Sequence, residues 1–125
     1  MADARKRRIL VVDDEPHIVK VLRKQLELSG FEVAVAADGA SGLEQSRAWR
    51  PDLVVLDVML PKLDGYAVCA TLKQDAELGR IPVLMVTAKA SQAEQEEGLR
   101  RGADAYLTKP FGLDELMEAV GRLLG

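Results

Sequence analysis

Side chains capable of chemistry follow the short apolar runs of this sequence. Asp13 and Asp14 come directly after ILVV, Asp57 comes after LVVL, Thr87 comes after VLMV, and Lys109 comes two residues after AYL. Two carboxylates about 4 Å apart repel each other by roughly 4 kcal/mol at an effective dielectric constant near 20, and one lysine cannot offset three of them. A hard divalent cation can, and an oxygen-only ligand set favours Mg²⁺ or Mn²⁺.

The same residues also suit phosphoryl transfer. Carboxylates act as nucleophiles toward phosphorus and form aspartyl phosphates. A divalent cation and the Lys109 ammonium would neutralise phosphoryl oxygens, and the Thr87 hydroxyl could donate a hydrogen bond to another. Asp57 therefore has two interpretations. It is either a structural acid paired with Lys109 or a nucleophile at the end of a strand.

Five apolar runs of similar length alternate with longer amphipathic stretches. The runs are rich in Val and too short for buried helices, as expected of parallel strands covered on both faces. They are ILVV (9–12), VAVA (33–36), LVVL (53–56), VLMV (83–86) and AYL (105–107). Five strands alternating with five helices, strand first, predict an α/β fold around a doubly wound parallel sheet. The carboxyl ends of such strands lie at one edge, which would bring the polar residues together.

Several residues indicate where the predicted helices begin and end. Pro16 suits the first turn of the first helix. Ser91 and Glu94 have the spacing of a capping box that opens the fourth helix. Gly30 and Gly102 follow two periodic stretches, where a left-handed residue ends a helix.

Length and composition bound the class of protein. A chain of 125 residues with 48% hydrophobic and 30% charged residues is ordinary for one globular domain. No apolar run approaches the roughly 18 residues of a membrane span, and the basic leader at residues 1–7, expected to be partly flexible, lacks the apolar stretch of a signal peptide. A net charge of −3 argues weakly against a nucleic-acid binder. The lone Cys69 cannot form an internal disulfide, so we expect a cytoplasmic protein.

The strand-end motifs resemble one protein family, the receiver domain of two-component response regulators. They are similar to its stand-alone, chemotaxis-type members. The resemblance runs from ILVVDDEP through VVLDVMLPKLDG and VLMVTA to GADAYLTKPF, and so covers essentially the whole chain. It implies a flavodoxin-like (βα)5 fold with strand order 2-1-3-4-5. It also implies a phosphorylation-activated regulator that catalyses only its own phosphorylation and autodephosphorylation, rather than an enzyme acting on other substrates.

The resemblance assigns roles around the acceptor. Asp57 corresponds to the phosphoacceptor and Asp14 to a direct Mg²⁺ ligand. Asp13 corresponds to a partner of the metal acting through water or hydrogen bonds, and the backbone carbonyl of Met59 completes the protein's share of the metal shell. Gly65 belongs to the turn after the acceptor, where we expect glycine because it takes backbone angles that other residues resist.

The resemblance also assigns the phosphate contacts, the switch and the partners. Thr87 and Lys109 match the hydroxyl and amine that contact the phosphoryl group, and Thr87 and Tyr106 match the pair that moves on activation. In this family the peptide before Pro110 is usually cis, which would aim Lys109 into the site. The implied phosphodonor is a sensor histidine kinase or a histidine phosphotransfer protein, and the fourth helix, fifth strand and fifth helix form the face that controls a downstream protein. We expect no direct nucleic-acid or membrane partner, and a monomer or weak phosphorylation-dependent dimer.

Two other functions share parts of this pattern. An aspartyl-phosphate phosphatase of small substrates usually has a second Asp two residues after the nucleophile, where this chain has Met59. Such an enzyme usually also needs a cap over its substrate, and this chain has no spare length for one. A flavodoxin-like FMN carrier would need a phosphate loop rich in Ser, Thr and Gly after the first strand. The DDEP segment found there would repel phosphate unless a metal intervened. Glu15, within that segment, is interpreted as a first-turn helix residue favoured by the helix macrodipole rather than as a third ligand.

The extent of the protein is a further expectation. We treat residues 1–125 as a single receiver domain, because the chain ends with the predicted fifth helix, EAVGRLLG. This favours a single-domain regulator, although a fragment of a longer regulator would look identical. Met59 and Lys89 are the positions that tune the lifetime of the phosphoryl group in this family, but the sequence assigns no rate, kinase or target.

Overall fold

A computed structural model describes residues 6–61, 63–88 and 91–125 of the chain. The strands within these ranges are β1 (Arg8–Val12), β2 (Glu32–Ala36), β3 (Leu53–Leu56), β4 (Val83–Thr87) and β5 (Ala105–Thr108). They form one sheet in the order β2-β1-β3-β4-β5, and every neighbouring pair is parallel. The predicted doubly wound, flavodoxin-like topology is confirmed.

Five helices alternate with the strands, and their ends carry the signals that the sequence predicts. They are α1 (Pro16–Leu28), α2 (Gly39–Trp49), α3 (Gly65–Gln74), α4 (Gln92–Arg100) and α5 (Leu113–Leu124). The Ser91 hydroxyl accepts a hydrogen bond from the Glu94 N–H at 3.1 Å, which caps α4. Gly30 and Gly102, beyond the ends of α1 and α4, have φ angles of +97° and +106°. Glycine adopts this left-handed conformation without steric cost.

The sheet separates two apolar clusters, one on each face. Leu10 of β1 and Val54 of β3 belong to the cluster covered by α2 and α3. Their neighbours Ile9 and Leu53 belong to the cluster covered by α1 and α5. Burial of a Val, Leu or Ile side chain contributes about 1.5–3 kcal/mol. Apart from Arg8 at the start of β1 and Thr87 at the end of β4, the three central strands are apolar and buried, which fixes the position of their carboxyl ends.

The first described residues contact the other end of the chain. Residues 1–5 of the basic leader lie outside the described residues, whereas the Arg7 guanidinium donates a hydrogen bond to the carbonyl of Leu124 at the end of α5. Lys89, one of the positions expected to tune phosphoryl lifetime, also lies outside them. Within the described ranges, no helix combines the length and apolar character needed to cross a membrane.

Candidate functional site

Three carboxylates from two strand ends meet at the carboxyl edge of the sheet. Val12 of β1 and Leu56 of β3 are paired in register, so the residues that follow them leave the sheet side by side. One carboxylate oxygen from each of Asp13, Asp14 and Asp57 lies within 4.8 Å of the other two. Asp13 and Asp57 are only 3% and 4% exposed, whereas Asp14 faces solvent. The structure thus brings together the three acids that the sequence placed at this edge.

The Lys109 ammonium contacts this cluster from the end of β5. Its Nζ lies 2.6 Å from Glu15 Oε1, 3.0 Å from Asp13 Oδ2 and 3.1 Å from Asp57 Oδ2. The side chain is 11% exposed, and the peptide that follows it, to Pro110, is cis. A lysine ammonium has three N–H donors. Three carboxylate oxygens therefore occupy all of them.

Burial and ion pairing act in opposite directions on the pKa values of these groups. Burial alone would lower the pKa of Lys109, but hydrogen bonds to Glu15, Asp13 and Asp57 raise it above its ordinary value. Burial raises the pKa of Asp13 by more than the hydrogen bonds from the Glu15 N–H and Lys109 lower it. The hydrogen bond from Lys109 lowers the pKa of Glu15. The ammonium therefore stays charged at neutral pH and meets more carboxylates than it can neutralise.

Asp57 is held by its backbone neighbours. Its N–H donates to the Val12 carbonyl at 3.0 Å, and its Oδ1 accepts from the Met59 N–H at 3.0 Å. Gly65, the first residue of α3, packs so closely that a Cβ atom there would lie 2.2 Å from the Asp57 carbonyl oxygen. Its φ is not in the left-handed region. Our reason for a glycine in this turn was therefore wrong, because close approach and not an unusual backbone angle requires it.

Thr87 and Lys109 lie on adjacent strand ends. Thr87 is the last residue of β4 and is completely buried. Its carbonyl accepts a hydrogen bond from the Lys109 N–H at 2.8 Å. The residue after Thr87, Ala88, is exposed. The structure thus places the predicted hydroxyl and amine residues on neighbouring strands at the edge that carries the acids.

Tyr106 lies where β5, α3 and α4 meet. It pairs in register with Met85 of β4, and a Cβ atom on Gly98 of α4 would lie 2.8 Å from its ring. Next to it, the Tyr66 hydroxyl of α3 shares its one proton between the Glu94 carboxylate at 2.5 Å and the Glu94 carbonyl at 3.1 Å. Burial, followed by hydrogen bonds to Glu94 and Tyr106, raises the pKa of Tyr66. The Tyr66 hydroxyl thus joins α3 to α4 beside the predicted switch residue.

The acid cluster fits a divalent cation. Its ligand atoms are all carboxylate oxygens, the donors that Mg²⁺, Mn²⁺ and Ca²⁺ prefer. The oxygens of Asp13 accept hydrogen bonds from the Glu15 N–H and from Lys109, both at 3.0 Å. The exposed Asp14 carboxylate is more accessible to solvent and ions. This arrangement could bind a divalent metal.

The ion pair between Glu15 and Lys109 was missed by sequence reasoning. Glu15 is the N-cap residue of α1 rather than a residue of its first turn, and its side chain makes no capping hydrogen bond. Its carboxylate instead accepts from Lys109, which is 94 residues away in the sequence. No local pattern reports such a pair. The one available signal is that Glu15 directly follows the two acids at the end of β1.

Fold and site together define an α/β domain with an acid cluster and a lysine at the carboxyl edge of a parallel sheet. The statistical model of the response regulator receiver domain family matches residues 9–121. The chain therefore belongs to the response regulator receiver domain family.

Individual relatives agree with this assignment. The Bacillus subtilis alkaline phosphatase synthesis transcriptional regulatory protein PhoP is 48% identical over 118 residues, which cover 94% of this chain and 48% of that protein. The Vibrio cholerae chemotaxis response regulator CheY4 superposes with a TM-score of 0.90 at 30% identity, covering 96% of this chain and all of that chain. The receiver domain of the Pseudomonas aeruginosa sensor histidine kinase PA1611, solved with a magnesium ion in its active site cleft, gives 0.89 at 32% identity, with 97% and 99% of the chains covered.

Membership of this family defines the general function. The chain is a receiver domain of a two-component response regulator, which is a signalling protein and a phosphorylation-activated switch. Receiver domains take their phosphoryl groups from histidine kinases. The resemblance seen in the strand-end motifs is confirmed. The chain spans about half the length of the curated relatives it matches, so its extent as a single-domain regulator stays a prediction.

Proposed function

We propose that Asp57 is the phosphoacceptor of this receiver domain. The observation that carries the proposal is its setting. Its carboxylate is 4% exposed, with Oδ1 held by the Met59 N–H at 3.0 Å and Oδ2 facing the Lys109 ammonium at 3.1 Å. An Asp57 oxygen attacks the phosphorus of a phosphohistidine on a sensor kinase or phosphotransfer protein. The phosphorus–nitrogen bond breaks, and the imidazole leaves with its electron pair.

The remaining groups of the site supply charge and position. Asp14, Asp57 and the Met59 carbonyl would hold Mg²⁺ or Mn²⁺, with Asp13 acting indirectly, and such an ion would supply positive charge to neutralise phosphoryl oxygens. Lys109 places its ammonium against the same group, and Thr87 supplies a hydroxyl donor. The protein thereby catalyses its own phosphorylation and, with water as the nucleophile, its own dephosphorylation.

The phosphoryl group then alters the face formed by α4, β5 and α5. It adds about −1.5 to −2 units of charge at the end of β3. This charge draws the Thr87 hydroxyl toward Asp57, and the vacated space lets Tyr106 turn inward. Its close contact with Gly98 supports this route, because the Tyr106 ring cannot move without changing its contact with α4.

The setting of the switch follows from the same proposal. We place the domain in the cytoplasm, where its kinase would present phosphohistidine, and expect a monomer or a weak phosphorylation-dependent dimer. The altered face controls a downstream protein, and the domain itself needs no nucleic-acid or membrane contact to do so. The identities of the kinase and of the downstream protein are open to experiment.

Phosphorylation by a small acyl-phosphate donor tests the acceptor assignment. We expect wild-type protein to incorporate label from ³²P-labelled acetyl phosphate in the presence of Mg²⁺, and Asp57→Asn to incorporate none. Asp114→Asn is the matched control, because Asp114 is exposed in the first turn of α5 and its substitution removes the same charge elsewhere. Label on Asp57→Asn at the wild-type level would show that another residue is the acceptor.

A further inference from the structure

Glu15 makes the shortest contact of the Lys109 ammonium. Its Oε1 lies 2.6 Å from Nζ, compared with 3.0 Å for Asp13 and 3.1 Å for Asp57. The Glu15 side chain is 45% exposed at the rim of the site, whereas the lysine side chain is only 11% exposed. The contact therefore joins a surface carboxylate to a nearly buried ammonium.

The backbone of Glu15 is fixed on both sides. Its N–H donates to Asp13 Oδ1 at 3.0 Å, and its carbonyl accepts from the Val19 N–H of α1 at 3.0 Å. Glu15 is thus anchored to both the acid cluster and the first turn of the helix. Its carboxylate therefore reaches Lys109 from a backbone that is fixed in position.

We propose that Glu15 is a positioning residue that fixes the direction of the Lys109 ammonium for phosphoryl transfer to Asp57. This inference rests on the proposed function of Asp57. In the unphosphorylated protein the three donors of Lys109 are divided among three carboxylates. When Asp57 carries a phosphoryl group, the donor directed at Asp57 turns to a phosphoryl oxygen. The hydrogen bonds to Glu15 and Asp13 persist and keep the Lys109 ammonium directed at the phosphoryl group.

A purely electrostatic role for Glu15 predicts the opposite sign. The site already carries three acids in one cluster, and a fourth carboxylate repels an incoming anion. If only charge mattered, removing Glu15 would tighten the binding of an anionic phosphoryl analogue. If Glu15 positions Lys109, its removal frees one donor and loosens the ammonium, so binding weakens. The sign of the change therefore separates the two roles.

The first measurement is the affinity for beryllofluoride in the presence of Mg²⁺, followed by ¹⁹F NMR. We expect Glu15→Ala to bind about three- to tenfold more weakly than wild type, the range for losing one charge-assisted hydrogen bond at a partly exposed site. Glu15→Gln keeps an oxygen acceptor without charge and should fall between the two. Glu44→Gln, an exposed charge removal on α2, should match wild type. Equal or tighter binding by Glu15→Ala overturns the inference.

The second measurement uses metal-free protein and reports on Lys109 directly. A lysine ammonium held by three hydrogen bonds exchanges its protons slowly enough to give a ¹⁵N–¹H correlation. We expect this signal in wild type, its broadening or loss in Glu15→Ala, and its partial recovery in Glu15→Gln. An unchanged signal in Glu15→Ala overturns the inference. Failure of wild-type protein to bind beryllofluoride would instead refute the proposed function of the site, so the two failures are distinguishable.

Discussion

Replacing Gly65 by alanine tests how closely the chain after the acceptor must pack. A Cβ atom at this position would lie 2.2 Å from the Asp57 carbonyl oxygen, 2.6 Å from the Val58 Cα and 2.9 Å from the Asp57 carbonyl carbon. All three are backbone atoms, so no side-chain rotation relieves the clash. The Gly65 N–H also donates to the Val58 carbonyl at 2.9 Å, which limits any shift of the start of α3.

The expected cost follows from two opposing effects. Overpacking a tight site costs about 1–3 kcal/mol, whereas replacing glycine by alanine in a helix contributes roughly 0.5–1 kcal/mol. Gly65 is the first residue of α3, where this gain is smallest. Gly65→Ala should therefore reduce the free energy of unfolding by about 1–2 kcal/mol. With a urea m-value of about 1–3 kcal/mol/M, the unfolding midpoint should fall by roughly 0.3–2 M.

Gly121 provides a matched control within the same protein. It lies inside α5, is exposed, and a Cβ atom there would meet nothing within 4 Å. Gly121→Ala should therefore raise the free energy of unfolding by roughly 0.5–1 kcal/mol. Both variants are compared with wild type by urea unfolding, followed by circular dichroism. Gly65→Ala with wild-type or higher stability, measured beside a stabilised Gly121→Ala, would refute the packing argument.

Two further substitutions test contacts away from the acceptor. Tyr66→Phe keeps the ring against the Arg101 guanidinium but removes the hydrogen bonds to Glu94. Its free energy of unfolding in urea should fall by about 1 kcal/mol, and wild-type stability would contradict this. Burial raises the pKa of Cys69 to about 11 from 9.0, so above pH 9 the folded protein keeps a proton that the unfolded chain loses. The free energy of unfolding of the wild-type protein should fall by about 2 kcal/mol more between pH 9 and 11 than that of Cys69→Ala, and parallel profiles would contradict this.

The strands and the edge of the site could be predicted because their signals are local. The central strands are buried on both faces, so each reads as an uninterrupted apolar run, and the first polar residue marks its end. Asp57 follows LVVL for this reason, and β3 ends at Leu56. Gly30 and Gly102 were equally readable, since a left-handed residue beyond a helix favours glycine. Convergence at one edge then follows from parallel topology alone.

The contacts that refine the site could not be predicted, because they join residues remote in sequence. Glu15 and Lys109 meet only when β1 and β5 take their places in the same sheet. Tyr66 bonds to Glu94 across 28 residues, and either residue alone looks like an ordinary helix position. Gly98 sits inside α4, where glycine is unfavourable, and the reason lies in the Met85 sulfur and the Tyr106 ring, which both pack against it.

These contacts also bear on how phosphorylation of Asp57 would change the position of α4 in the proposed switch. One route runs along the strands. The Thr87 carbonyl accepts from the Lys109 N–H at 2.8 Å, and Tyr106 lies in β5, three residues before Lys109 in the sequence. A displacement of Thr87 or Lys109 toward a phosphoryl group would therefore occur close to the Tyr106 ring, which packs against Gly98.

The other route runs through α3. Gly65 begins this helix in contact with the Asp57 backbone, and its neighbour Tyr66 is bonded to Glu94 in α4. In the proposed switch, a change at Asp57 would thus reach α4 through α3 as well as through β5. The position of α4 therefore depends on the balance between its contact with Tyr66 of α3 and its contact with Tyr106 of β5. Loosening the Tyr66 bond should therefore shift the balance of α4 positions even before Asp57 is phosphorylated.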